Sequence, residues 1–189
     1  MSTSLLSHAF GIRGSEHTRT DSHGGQVTFT IHQDPRTCRC SACGSRHLVH
    51  RGRVVRRFRS LPIGRRPTFV VLPVPRVECL ACGVVRQVEV PFADPRLSYT
   101  SSFERHALEF GRHMTIRDVA VHLGVDWDTI KEVQRRDLRR RFAKPKLKHL
   151  RHIAIDEIAA AKGHRYLTLV LDLDSGAVVV VGDGKGPRR

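Results

Sequence analysis

Cys40-Ser41-Ala42-Cys43-Gly44 and Cys79-Leu80-Ala81-Cys82-Gly83 decide how the rest of this chain is read. Each is a Cys-x-x-Cys followed at once by Gly. That spacing lets two thiolates on one tight turn face the same ion, and the glycine tolerates the positive φ such a turn needs. Two such knuckles supply four sulfurs, Cys40, Cys43, Cys79 and Cys82, the number a closed tetrahedral structural zinc site takes. The interval between them is longer than in the usual zinc ribbon, so a strand-rich insertion must fill it. A redox pair is the competing reading. It is normally single and opens a helix in an α/β unit, whereas this motif comes twice and without that context. Cys38 is left over, either as a free thiol or as a substitute ligand if Cys40 is not used.

The insertion carries Arg46, Arg51, Arg53, Arg56, Arg57, Arg59, Arg65, Arg66 and Arg76, against Glu78 alone as carboxylate. Such a density of like charge on a small core is relieved by opposing phosphates. Arg56, Arg57, Arg65 and Arg66 are the candidate phosphate contacts. The whole chain repeats the bias, with a net charge of +15 over 189 residues and a pI near 10.9. A chain this basic usually meets a polyanion, most often nucleic acid. Coding bias in a GC-rich genome would also enrich arginine, but not place it in runs. No apolar stretch reaches membrane-spanning length and the first residues do not read as a signal peptide, so no membrane partner is expected. Paired cysteines in a reducing cytoplasm read as metal ligands rather than disulfides.

Outward from the knuckles, residues 1–25 form a poorly defined N-terminal segment. Leu5, Leu6 and Phe10 suggest a short helix, and Ser15 to Gly25 reads as loop. Residues 26–95 are expected to be a zinc-binding, β-rich module. Within it Gln26 to Ile31 alternates, placing Val27, Phe29 and Ile31 on one face. Leu61-Pro62-Ile63-Gly64 is a turn signal, Thr68 to Leu72 and Val74 to Cys79 read as strand, and Pro91 and Pro95 close the module. His47 and His50 read as surface residues.

Residues 98–142 change to helical spacing. Thr100 and Thr115 are caps, and Ile116, Val119, Ala120 and Leu123 form one stripe. Gly124-Val125-Asp126 breaks the helix before Trp127-Asp128-Thr129-Ile130 opens another. A small residue, a glycine turn and shared aliphatics are the punctuation of a helix-turn-helix, although an ordinary bundle shares it. Recognition contacts would come from the exposed start of this helix, Asp126, Asp128, Thr129 and Lys131, with Glu132 as a further candidate. Arg135, Arg136, Arg139, Arg140 and Arg141 continue along the same helix and favour the DNA reading. Trp127 reads as a core anchor. Residues 143–151 form a basic linker in which Pro145 ends the helix. In residues 152–189, Ile153 to Ile158, Tyr166 to Asp172 and Ala177 to Val181 form a meander of near-continuous apolar strands, which require covering partners. The fold class is therefore α+β and multidomain.

This order of elements resembles the insertion-sequence transposases of the ISL-three family, from about residue 26 onward. The closest local matches are the knuckles, Leu61-Pro62-Ile63-Gly64, and Ile155-Asp156-Glu157 before the meander. The resemblance implies an N-terminal zinc finger on Cys40, Cys43, Cys79 and Cys82, a helix-turn-helix, and the start of an RNase H-like domain in which Asp156 is the first acid of a DDE triad. It implies double-stranded DNA at transposon ends as partner, leaves a homo-oligomer open, and implies magnesium for a complete catalytic domain. The family's second Asp and its Glu lie on later elements. The expectation is thus the N-terminal part of a transposase with an incomplete catalytic domain, whether fragment or frameshifted product. The alternative is a non-catalytic DNA-binding regulator of transposition. Asp172, Asp174 and Asp183 read as strand-end and turn acids.

Overall fold

The computed structural model of the chain describes residues 5–143, 147–161 and 165–183. Two compact units divide it, residues 1–134 and 135–189. Both the β-rich part and the helix-turn-helix lie in the first, with helix α4 running across the boundary.

Unit 1 begins with a short helix, α1 (Leu5–His8), that seats Leu6 and the following Phe10 in the core. Strands β1 (Ser15–His23) and β2 (Gln26–Gln33) then form a hairpin. Ser15 to Gly25, expected as loop, is therefore mostly strand. Its turn is Gly24-Gly25, both at positive φ, as a two-residue hairpin turn of the right twist requires. Because β1 is exposed on nearly every residue, no apolar alternation marked it. β2 behaves as its alternation predicts, with Phe29 and Ile31 buried and Val27 packed against the core.

The long antiparallel pair β3 (Leu48–Ile63) and β4 (Arg66–Cys79) fills the interval between the knuckles. Their turn is Gly64-Arg65, so Leu61, Pro62 and Ile63 still belong to β3. The sheet runs β1-β2-β4-β3, with β2 parallel to the Thr68–Val71 half of β4 and β5 (Val85–Gln87) antiparallel to its Arg76–Glu78 half. β4 passes without a break through Pro73 and Pro75, where two separate strands were expected. Phe58, Val70, Leu72, Val74 and Val77 are completely buried beneath it, and Phe58 meets Phe92 edge to face.

Three helices follow: α2 (Ser101–Phe110), α3 (Ile116–Leu123) and α4 (Trp127–Phe142). Thr100 and Thr115 cap the first two, accepting from the N–H of Phe103 and Asp118. Phe103, Ala107, Val119, Leu123, Ile130 and Val133 make a second core. The helices are stapled to the β-rich part. Arg59 N–H donates to the Ser98 carbonyl at 2.7 Å, Thr100 N–H donates to the Arg59 carbonyl at 2.9 Å, and the Ser102 hydroxyl donates to the Phe10 carbonyl at 2.7 Å.

Unit 2 contains the last turns of α4 and a three-stranded antiparallel meander, β6 (Ile153–Ala161), β7 (Arg165–Asp172) and β8 (Val178–Asp183), in that order. The three expected strands are all present. From residue 138 onward none of the residues whose burial is described is buried. Pro145, read as the helix stop, and Gly186 to Arg189 lie outside the described residues, and Asp183 is described in its backbone only.

Candidate metal centre and nucleic-acid interface

Each knuckle is built by its own backbone. In the first, Gly44 N–H donates to the Cys40 carbonyl at 2.9 Å; in the second, Gly83 N–H donates to the Cys79 carbonyl at 2.8 Å. Gly44 and Gly83 sit at φ 74° and 69°, a conformation that a Cβ would strain. The β3–β4 pair then brings the two turns together, since Leu48 is opposite Cys79 in the ladder. The four ligand sulfurs lie within 4.8 Å of one another, with Cys43 and Cys79 at 3.5 Å and Cys40 and Cys82 at 3.8 Å.

A tetrahedron with zinc–sulfur bonds of about 2.3 Å has sulfur–sulfur edges of about 3.8 Å, so this cluster has the size and donor set of a structural zinc site. Its electrostatics point the same way. For Cys79 burial opposes ionisation, but the N–H groups of Cys82 and Ala81 and the neighbouring thiols outweigh it, and its pKa falls to about 6. At Cys43 the Ser45 N–H favours the thiolate, yet the sulfurs of Cys79, Cys82 and Cys40 push the pKa up to about 12. Four thiolates cannot all ionise side by side without a cation between them.

Cys38 is not in the cluster. It is buried in the β-rich core, donates to the Asp34 carbonyl at 3.6 Å, and burial raises its pKa. It is a core thiol rather than a substitute ligand.

The α3–α4 corner turns at Gly124, which is left-handed at φ 61°. Its N–H closes α3 on the Ala120 and Val121 carbonyls, and Val125 N–H returns to Ala120 at 3.0 Å. The amino end of α4 is consequently presented to solvent. Asp128 and Lys131 are exposed and Thr129 is half-buried. Trp127 is 45% exposed, with the Lys131 ammonium 4.5 Å from its ring centre, so it is not the core anchor expected of it.

Residues 36–82 match the zinc-finger of transposases IS204/IS1001/IS1096/IS1165, and residues 88–137 match the helix-turn-helix domain of transposase family ISL3. Together these take in more than half of the chain. The chain belongs to the ISL3 transposase family. It is 28% identical over 160 residues to the transposase for insertion sequence element IS1001 of Bordetella parapertussis, covering 84% of this chain and 39% of that protein. It is 32% identical over 150 residues to the transposase for IS1557 of Mycobacterium tuberculosis (strain CDC 1551 / Oshkosh), covering 77% and 33%. The chain thus spans between a third and two fifths of the length of these curated relatives. No solved structure matches it.

In this ISL3-family chain the insertion arginines have separate fates. Arg56 is half-buried, donates to the Leu97 carbonyl at 2.7 Å, and burial lowers its pKa. Arg57 lies flat on Phe69, 3.5 Å from the ring centre, and donates to Gln26. Arg65 is exposed at the β3–β4 turn, and Arg66 reaches the Ser22 hydroxyl at 3.4 Å. Arg51 is tied to Glu78 at 2.6 Å.

Arg59, which no sequence signal separates from its neighbours, is buried. Its guanidinium donates to the Leu123 carbonyl at 2.7 Å, at the end of α3. Along α4, Arg135 and Arg139 are exposed and Arg136 half-buried. Arg140 and Arg141 are held by Asp137 at 2.9 and 2.7 Å.

Asp156 lies on β6 opposite Leu169 and accepts from Glu157 N–H at 2.8 Å. Asp172 accepts from Ser175 Oγ and Asp174 N–H in the β7–β8 turn, and the Ser175 bond leads in lowering its pKa. Asp174 pairs with His152 at 3.1 Å. These two are turn acids, as their spacing predicted.

Proposed function

We propose that this chain is the DNA-recognising part of an insertion-sequence transposase and binds the terminal inverted repeats of its element in the cytoplasm. The observation that carries this is the helix-turn-helix corner at Gly124, which leaves the amino end of α4 open beside an arginine-lined ribbon. A helix so placed enters a major groove. Thr129 and Lys131 would face base edges, with Asp128 beside them, while Arg57, Arg65, Arg66, Arg135, Arg136, Arg139 and Arg140 would hold phosphates. Arg56, spent on the Leu97 carbonyl, contributes less.

Cys40, Cys43, Cys79 and Cys82 would hold one zinc, which supplies folding free energy rather than chemistry. Asp156 would be the first acid of an RNase H-like site. The order β6-β7-β8 leaves one edge of β6 without a partner strand among the described residues, which is where further acids would be brought alongside. Magnesium suits such an oxygen-donor site and would stabilise the attacking and leaving oxygens of a phosphodiester.

The test is selection from a random duplex library with purified zinc-loaded protein, followed by footprinting on the inverted repeats. Enrichment of a repeat-like sequence is expected. Thr129→Ala or Lys131→Ala should change the preferred bases, and Arg139→Ala should weaken all sequences alike. No enrichment, or identical preferences in every variant, would refute the reading.

A further inference from the structure

A groove of about 750 Å³ lies inside unit 1, between the β3–β4 ribbon and the α3–α4 corner. The knuckles do not line it, and of the base-reading residues only Thr129 does. Arg57 on Phe69 forms one wall. Arg117 on the first turn of α3, Val121 and Trp127 form the other, and Thr129 of α4 also lines it. Arg59 lines it as well, with its guanidinium engaged by the Leu123 carbonyl and, at 3.3 Å, the Thr68 carbonyl. Asp126 is the one carboxylate among the lining residues.

Two properties restrict the occupant. The groove is cationic, and Arg117 has no ion pair among the described residues. It is also unusually apolar for an open surface, with Val121 76% and Trp127 45% exposed. A chain of alternating phosphates and deoxyriboses satisfies both, since guanidinium forks match phosphate oxygens and sugar C–H faces pack on an indole or an isopropyl group. The position agrees, because the first helix of a helix-turn-helix crosses the DNA backbone.

We propose that this groove grips one sugar–phosphate strand of the duplex that α4 enters, with Arg57 and Arg117 on phosphates and Val121 and Trp127 on deoxyribose. The zinc ribbon and the helix-turn-helix then read one DNA segment at one register, instead of acting as two independent modules. Arg59 is the positioning residue. By tying β3 to the end of α3 it keeps the two walls at a fixed separation. The inference rests on the DNA-binding reading above and assigns the ribbon a defined place within it.

The experiment measures affinity of the full zinc-loaded chain for a mixed-sequence duplex and for a single strand of the same sequence, by fluorescence anisotropy over a salt series. Arg57→Ala combined with Arg117→Ala should reduce the duplex salt slope by about two, close to 0.9 for each phosphate released. Arg19→Ala, whose guanidinium is already paired with Asp21 on β1, should leave the slope unchanged. Val121→Glu puts a carboxylate in the groove at a position that folding does not use, and should weaken the duplex roughly tenfold or more. Zinc content reports whether each variant is folded. If the unaltered chain binds no duplex, the function itself falls. If it binds, and the double variant and Val121→Glu keep its slope and affinity, only the groove assignment is overturned. A loss confined to the single strand overturns it too.

Discussion

The ribbon pair β3–β4 and the meander β6–β8 are written in similar residues and end in opposite conditions. Both are runs of valine, leucine and isoleucine interrupted by charge. Phe58, Val70, Leu72 and Val74 of the ribbon are completely buried, while Ile155 of the meander is 66% exposed and Val181 is 58% exposed. The difference is not strand propensity, which is high in both. It is the second layer. The ribbon has the α1 region and the Val88–Ala93 segment packed against one face, β2 beside it in the same sheet, and the four-thiol cluster at its far end. Among the described residues the meander has the groove that Leu138 and Phe142 form with Val178 to Val181. A strand pattern specifies which face wants to be covered, and only the rest of the fold specifies whether it is.

Removing the clip should produce the largest contrast. Cys79→Ser with Cys82→Ser should abolish zinc binding, and with it a folding contribution of roughly 10 kcal/mol or more in apparent terms. Hydrogen exchange should then accelerate throughout β3, β4 and β5, whereas β6–β8, with no buried side chain among the described residues, should exchange as before. Stoichiometric zinc in the double variant, or an equal acceleration in both regions, would break the comparison.

Much of this region was legible from residues alone. The knuckles announced a four-thiol cluster because backbone turn and thiol spacing are both local. The face of β2, the caps at Thr100 and Thr115 and the break at Gly124 were local as well. What failed depended on distance. β1 is polar on nearly every residue and shows no period. The fate of each insertion arginine depends on what folds over it, so Arg59 looked like Arg57 in sequence although one is buried beneath the end of α3 and the other stacks at the surface. Trp127 read as core because a lone tryptophan usually is. Its position as the first residue after the corner puts it at the rim instead. The meander's strands were legible, but its exposure was visible only as a demand for partners.

Single core substitutions should sharpen the same contrast on a smaller scale. Phe58→Ala removes a fully buried ring from contact with Phe92 and should cost about 3–5 kcal/mol. Ile155→Ala, at an exposed site, should stay within about 0.5 kcal/mol. Urea titration of each variant, followed by far-UV circular dichroism, measures both. Comparable losses would mean that Ile155 is covered in solution.

The smallest effect tests the corner. A Cβ at Gly124 would meet nothing within 4 Å, so Gly124→Ala isolates the strain of φ 61° and should cost about 1–2 kcal/mol. Thermal unfolding would detect it. An unchanged melting temperature would mean that the α3–α4 turn relaxes freely, and that the register between ribbon and α4 is looser than described.

Pro73 and Pro75 occupy a particular stretch of β4. The pairing of β4 with its parallel partner β2 ends at Val71, although β2 itself runs on to Gln33, and the pairing with β5 begins at Arg76. Between them that flank of β4 has no ladder pairing among the described residues, while on the other flank Pro73 to Pro75 pair with β3. In an extended chain a residue sends its C=O and its amide position to the same side. The Pro75 carbonyl accepts from Val88 N–H at 2.9 Å, so the missing N–H groups of both prolines face that unpaired flank and cost the β3 ladder nothing. Two imino acids leave that stretch without donors, so β4 exchanges β2 for β5 on one side while its ladder to β3 is kept.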